Sequence, residues 1–243
     1  MKNYVVALIA GISAIVCFCL LGSAYKYKFK AQENIVVTGL AEKDFVSDQI
    51  VWKGTYSRAS MNLEDAYASL KQDEKAVIAY LSSKGITPAE MVVSAVDISK
   101  ESSSRYDNDG KYIGQVFAGY NLSQKVTIDS KDIDKVELLS RSATELIEKG
   151  IEFNSSSPSY FYSKLSELKV DLLSKASEDA RSRASSIAEN AKGKLGDIRK
   201  ANMGVFQITG KNANDDYSYG GTFNTSSKIK TASITVRMEF AAN

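Results

Sequence analysis

Acidic, thiol and imidazole side chains carry most protein catalysis and metal binding, and this 243-residue chain arranges them sparsely. It contains no histidine, which excludes a histidine-based triad, a histidine metal site and a histidine pH switch. Its two cysteines, Cys17 and Cys19, lie in an apolar N-terminal run, so the rest of the chain has no thiol nucleophile or cysteine-bound zinc. The carboxylates are scattered, as at Glu178 and Asp179, and no phosphate-binding glycine motif occurs. The sequence therefore predicts no enzyme, no cofactor and no metal site.

Two acidic segments raise the alternatives of a calcium loop and an ordinary turn. The first, 107–110 (DNDG), resembles a calcium-binding loop, but Lys111 stands where an acid is needed and no glutamate follows at the required distance. Asp109-Gly110 is also a typical hairpin turn pair, which is the preferred interpretation. The second pair, Asp215 and Asp216, is expected in a solvated loop.

Aromatic residues make the second acidic loop the better functional candidate. Tyr217, Tyr219 and Phe223 stand among glycine and asparagine between residues 210 and 227. This composition suits an adaptable contact surface, so we hypothesise that these three residues contact a partner or a second copy of the chain. The alternative is a mobile loop without a binding role.

The N-terminus predicts a membrane segment. The run from Tyr4 to Ala24 holds about 21 residues, enough for a helix to cross the roughly 30 Å hydrocarbon core. An uncleaved single-pass anchor over 1–25 is one alternative, and a cleaved signal peptide that leaves a soluble periplasmic protein is the other. A linker is expected over 26–33. Its three lysines favour a cytoplasmic domain by charge alone, but long domains translocate largely regardless of nearby charge, so an extracytoplasmic domain is expected. The net charge of +2 argues against nucleic-acid binding.

One long helix organises the remaining chain. From Leu165 to Lys192, apolar residues recur at steps of three and four, and the stripe narrows from leucine to alanine, which lets a sheet approach closely. The last strand, 231–240, alternates apolar and polar residues, a pattern typical of an antiparallel sheet with one wet face. Together these elements predict an α+β fold with helices layered on antiparallel sheets.

Further elements follow from local patterns. Trp52 is expected in the core of a strand, and Asn62 is expected to cap a helix that ends near Gly85. A helix with its stripe from Ile133 to Leu146 is expected to be capped by Asp129 or Ser130. The remaining strands are expected at 34–40, 48–57, 91–99, 115–128 and 151–153.

The order of these features resembles the SIMPL-domain family, also called DUF541, which includes bacterial 26 kDa periplasmic immunogenic proteins. The resemblance covers about residues 34–241. The stretches that carry it are 37–57 (VTGLAEKDFVSDQIVWKGTYS), 70–86 (LKQDEKAVIAYLSSKGI), 120–153 (YNLSQKVTIDSKDIDKVELLSRSATELIEKGIEF), 172–198 (LLSKASEDARSRASSIAENAKGKLGDI) and 234–241 (ITVRMEFA).

This resemblance implies a bacterial cell-envelope protein with two α/β subdomains, one inserted in the other. Mapped onto this chain, residues 34–100 and 171–243 form the discontinuous subdomain and 101–170 the inserted one. Self-assembly into a homo-oligomer, a link to envelope or oxidative-stress defence and a domain in the periplasm are implied. The long apolar N-terminus departs from the commonest form of the family, and it is this run that predicts a helix in the inner membrane. The family offers no catalytic residues to transfer. The alternative function is a small-molecule or peptide-binding module with its site between the subdomains.

Overall fold

The computed structural model describes residues 2–30 and 34–242, and for residues 2–10 and 26–30 it describes the backbone alone. The strands are β1 Asn34–Val46, β2 Gln49–Ser60, β3 Met91–Val93, β4 Asp97–Tyr106, β5 Tyr112–Ser130, β6 Glu152–Ser155, β7 Ser159–Phe161, β8 Leu195–Met203, β9 Gln207–Gly210 and β10 Ile229–Ala242. The helices are α1 Lys2–Lys30, α2 Leu63–Ser83, α3 Ile133–Ser142, α4 Glu145–Glu148 and α5 Leu165–Asn190, with a 3₁₀ turn at Pro88–Glu90.

The N-terminal segment forms α1, which continues to Lys30, past the expected start of a linker at residue 26. Cys17 and Cys19 are exposed on it. Within the described residues, no helix meets the length and apolarity needed to cross a membrane. The expected span over 4–24 begins where side chains lie outside the described residues, so the membrane helix stays a prediction.

One half of the molecule, which we call the outer unit, consists of β1, α5, β8, β9 and β10. Strand β10 lies at its centre and pairs antiparallel with β1 on one side and with β8 and β9 on the other. The alternation expected over 231–240 is confirmed. Ile234, Val236 and Phe240 are buried beneath α5, because side chains alternate between the faces of a strand.

Helix α5 packs on this sheet through small residues. Its buried positions are Leu168, Leu172, Ala176, Ala180, Ala184 and Ala188. At Gly39 of β1, an added Cβ would lie 2.8 Å from the Cβ of Ala180 and closer still to the carbonyl oxygen of Ala176, so only glycine fits there. The expected stripe is confirmed up to Ala184, but Ile187 is exposed and Ala188 takes the next buried position, as a period of 3.6 residues requires.

The other half, which we call the inserted unit, runs from β2 to β7 and includes α2, α3 and α4. Its sheet has the order β3-β5-β2-β6, with β4 also beside β5 and β7 beside β2. Trp52 is fully buried, as expected, and its indole Nε1 donates to the Ser155 hydroxyl at 3.0 Å. Asn62 caps α2 as predicted. The expected cap of α3 at Asp129 or Ser130 is wrong, because the Asp132 carboxylate accepts the Lys135 N–H.

The two cores divide the chain at other positions than the expected boundaries 34–100, 101–170 and 171–243. Strand β2 pairs with β5 over eleven positions, from Ile50–Ser130 to Ser60–Tyr120, and α2 contributes Leu70 to the same core as Trp52. Residues 49–161 thus form the inserted unit. Of the expected segment 34–100, only residues 34–46 belong to the outer unit. The prediction of an α+β fold with antiparallel sheets is confirmed.

Candidate functional site

A groove of about 660 Å³ lies on the side of the outer sheet that faces away from α5. We call it the aromatic groove. It is lined by Leu40, Glu42, Val205, Gln207, Tyr217, Ser218, Tyr219, Ser233, Ile234 and Thr235. Its volume is in the range of sites that hold small ligands.

Strand register sets the floor of the aromatic groove. Leu40 pairs with Thr235, and Glu42 pairs with Ser233, so these four residues share one face of the sheet. Gln207 of β9 pairs with Ser233 from the other side. The floor therefore combines an aliphatic side chain, two hydroxyl groups and one carboxylate.

The wall of the groove comes from the loop 211–228, which joins β9 to β10. Tyr217 is 66% exposed and Tyr219 is fully exposed, so both rings are in contact with water beside the floor. The third predicted contact residue, Phe223, lies apart from them at the base of the loop, where its ring is 6.0 Å from the Lys230 ammonium. The structure thus brings two of the three predicted residues together.

Gln207 holds the loop in place. Its side chain is buried, and its Nε2 donates to the Ser218 carbonyl at 2.8 Å while its Oε1 accepts the Thr222 N–H at 2.7 Å. Backbone bonds between Ile208 and the segment 222–224 add a short parallel bridge. The walls of the groove are therefore positioned before any ligand arrives.

Asp215 is a second anchor of the same loop. One carboxylate oxygen accepts both the Gly210 N–H at 2.7 Å and the Asn224 amide at 2.8 Å. An Asp or Asn side chain commonly satisfies backbone donors in this way at a turn. The first member of the acidic pair 215–216 thus supports the loop.

Lys230 ties the base of the loop to the inserted unit. Its side chain is only 2% exposed, and its ammonium donates to the carbonyl oxygens of Tyr160, at 2.8 Å, and of Asn224. Burial lowers the pKa of Lys230 to about 8, and the nearby Asp215 charge opposes that shift. A further bond from the Tyr160 N–H to the Thr225 carbonyl closes the junction.

The lining residues suit binding better than catalysis. Glu42 is the one charged residue among them, and the hydroxyls of Ser218 and Ser233 have no basic side chain beside them in that lining. Aromatic faces next to a carboxylate attract positive charge on an apolar stem. In the described parts of the chain, no three acidic or cysteine side chains converge on a possible metal position.

The Asp107 segment forms the expected hairpin turn. The Asp107 carboxylate accepts the N–H groups of Asp109 and Lys111, and Gly110 has a positive φ of 78°. These bonds occupy a carboxylate oxygen that a calcium ion would need. The turn interpretation accounts for this segment.

Residues 35–240 match the model of the family SIMPL, described as "Protein of unknown function (DUF541)". The chain belongs to the SIMPL family. The matched region contains both units and every residue of the aromatic groove. No curated protein matches the chain.

Lys230 and Gln207, which position the loop of this SIMPL chain, were not predicted from the sequence. Lys230 directly precedes the predicted strand 231–240. It stands two residues before Ala232, so continuing the alternation toward the N-terminus places its side chain on the buried face. Gln207 carries no comparable signal. Its role depends on the position of a loop that begins several residues later.

Proposed function

We propose that this SIMPL-family chain is a non-enzymatic protein of the bacterial cell envelope that acts by binding, with the aromatic groove as its contact surface. The observation that carries the proposal is the groove itself, where Gln207 fixes the loop that holds two exposed tyrosines beside a floor of Leu40, Glu42 and two hydroxyl groups. Exposed aromatic side chains on an ordered loop provide contact area at low entropic cost.

The lining favours one chemical class of ligand. Leu40 and Val205 offer apolar contact, while Tyr217, Tyr219 and Glu42 favour a positive group. A segment that carries both apolar and basic side chains satisfies both parts, because the apolar side chains contact the aliphatic residues and the basic ones contact the carboxylate and the aromatic faces. The proposed ligand is therefore a short basic, apolar protein segment. This places the site within the outer unit, and not between the units.

The test uses the full-length chain in detergent and a fluorescein-labelled hexapeptide of alternating Leu and Lys. Anisotropy titrations compare wild type with the double variant Tyr217→Ala/Tyr219→Ala, with empty micelles as blank. Tyr67→Ala on α2 removes an exposed tyrosine elsewhere and serves as control. The expected result is at least tenfold weaker binding by the double variant alone. Equal affinities in all three proteins, or equal binding of a Leu–Glu hexapeptide, would reject the groove.

The proposal extends to location and assembly. The apolar N-terminal run supports tethering to the inner membrane with the folded units in the periplasm. Self-association and a link to envelope or oxidative-stress defence are part of the proposal on the strength of the resemblance alone. Intact mass of the protein from native membranes tests the tether. A chain that keeps residues 1–24 and needs detergent supports it, whereas a chain that begins near Tyr25 and is free in buffer overturns it.

A further inference from the structure

The inserted unit carries a long hairpin that reaches past its own sheet. Strand β4 pairs with residues 112–123 of β5, but β2 pairs with β5 only from residue 120 onward. Residues 101–106 and 112–119 therefore form a two-stranded arm, which we call the hairpin arm. At about 3.4 Å per residue it extends roughly 20 Å.

The hairpin arm exposes large apolar side chains on both faces. Every residue of β4 is exposed, and the arm residues that are 44–58% exposed are Tyr106, Tyr112, Ile113, Val116 and Phe117. A two-stranded hairpin is marginally stable in water without a covering surface. An apolar cluster of this kind on a projecting arm marks an interaction surface.

The outer edge of β4 is open to a further strand. Among the described residues β4 pairs with β5 alone, and both irregularities of that pairing lie in β5, which has one extra residue at Ala118 and another at Ile113. Strand β4 itself contains no bulge and no proline. Bulges, prolines and charged side chains are the usual devices that block pairing at an edge. Strand β4 carries only the last of these, with Lys100, Glu101 and Arg105, so its edge is open to a strand of complementary charge.

The charges of β4 complement those of a second β4. If two strands cross antiparallel about Ser103, Glu101 of each faces Arg105 of the other, and Lys100 faces Tyr106. If the centre of symmetry is shifted by half a residue toward Ser102, Lys100 of one copy faces Arg105 of the other. Like charges directly opposite each other are destabilising, so the charges favour the register centred on Ser103. Within the described chain, no ion pair joins Lys100 or Arg105 to a carboxylate, so both remain available for such contacts.

We propose that two copies of this chain associate through their β4 edges, so that the two hairpin arms form one four-stranded antiparallel sheet centred on Ser103. The inference rests on the self-association in the proposed function and names its surface. Antiparallel pairing of like edges produces the two-fold symmetry of a closed dimer. Two Glu101–Arg105 pairs, one on each side of the axis, add charge complementarity to the backbone hydrogen bonds of the paired edges.

A designed disulfide tests this geometry directly. In full-length protein with Cys17→Ser and Cys19→Ser, Ser103→Cys places two thiols across the symmetry axis, where Cα atoms of paired residues are about 4.5–5.5 Å apart, within the range of a disulfide. Ser99→Cys is the matched control, because it is exposed on the same strand but lies about eight residues from its symmetry mate. Mild oxidation is followed by non-reducing electrophoresis.

The expected result is a covalent dimer of Ser103→Cys and little dimer of Ser99→Cys. Equal cross-linking of both variants, or none at Ser103 in a protein that native mass spectrometry shows to be a dimer, overturns the β4 edge and leaves self-association intact. A monomer at micromolar concentration overturns both.

Charge reversal supplies an independent check at the same edge. Glu101→Arg sets arginine against arginine and is expected to weaken dimerisation at least tenfold, while Glu101→Arg/Arg105→Glu restores the pairing with exchanged signs. Both positions are exposed, and both variants lose the same bond from the Asn121 amide to the Glu101 carboxylate, so a difference between them reports the pairing. A double variant as weak as the single one contradicts the pairing.

Discussion

The two units bury their sheets by opposite means. The inserted unit fills its core with large side chains, including Trp52, Tyr56 and Leu70, whereas the outer unit brings an alanine-lined helix against Gly39. A core of large side chains depends on volume, and a core of small residues depends on close backbone approach. The stability of the inserted unit should therefore be most sensitive to substitutions that remove side-chain atoms. The stability of the outer unit should be most sensitive to substitutions that add them.

Removal of the largest buried ring gives the largest expected effect. Trp52→Ala empties the space between β2 and Phe153, whose ring centre lies 5.9 Å from that of Trp52, and leaves the Ser155 hydroxyl without its indole donor. We expect a loss of about 4 kcal/mol in the free energy of unfolding. Urea denaturation followed by circular dichroism measures it. A loss below about 1 kcal/mol would contradict the statement that the core of the inserted unit depends on the volume of its large side chains.

Addition of one methyl group tests the other side. Gly39→Ala drives a Cβ into the backbone of α5, and we expect a loss of about 3 kcal/mol. Gly54→Ala is the matched control in the inserted unit. There the new Cβ meets the Phe153 ring, 2.8 Å from its Cε1, and a side chain can move where a helix backbone cannot. A loss of about 1 kcal/mol is expected for the control. Equal losses at both glycines would remove the distinction between the units.

The junction between the units should respond to alkaline pH. Because the folded pKa of Lys230 is about 8 and that of an unfolded lysine is near 10.4, the unfolded chain binds more protons between these values. Stability of the wild type relative to Lys230→Met should therefore rise as pH increases from about 8 to 10. Denaturation midpoints of both proteins at pH 7.5, 9 and 10 measure the difference. A constant difference across this range would contradict the buried charge.

The smallest effect is expected at acid pH within the inserted unit. Hydrogen bonds from the Ser130 hydroxyl and then from the Thr87 N–H and hydroxyl lower the pKa of Glu90 to about 2. The carboxylate stabilises the fold fully above pH 4.5, and this stabilisation is lost as pH falls through 2. Wild type should thus lose its advantage over Glu90→Gln between pH 4.5 and 2, as thermal unfolding of the two proteins would reveal. A gap that widens on acidification would contradict this.

Periodic segments were predictable from sequence because one physical rule governs them. The stripe of α5 and the alternation of β10 each reflect a single buried face, and both were placed within a few residues. The strand expected at 91–99 is divided in the structure into β3 and the start of β4, and the rest of β4 was not predicted, for the converse reason. Both of its faces are exposed, so DISKESSSRY shows no alternation and only the turn at Asp109-Gly110 signals the hairpin.

The candidate site was predictable only in part. The composition around Tyr217 and Tyr219 indicated a contact loop, but the groove also needs Leu40 and Thr235, which come together through pairing between the two ends of the chain. No pattern within either segment alone predicts that the two segments pair. Phe223 is surrounded by the same kinds of residue as the two tyrosines. The bridge between Phe223 and Ile208 nevertheless places its ring beside Lys230.

Hydrogen exchange of the full-length chain, with and without saturating Leu–Lys hexapeptide, tests the binding role of the aromatic groove most directly. Bound peptide should slow amide exchange in 205–223 and around Leu40, because these segments form the wall and floor of the groove. The same peptide should leave the hairpin arm, 101–119, unchanged. Protection confined to the arm or to α2, with 205–223 exchanging as in the free protein, would contradict the account.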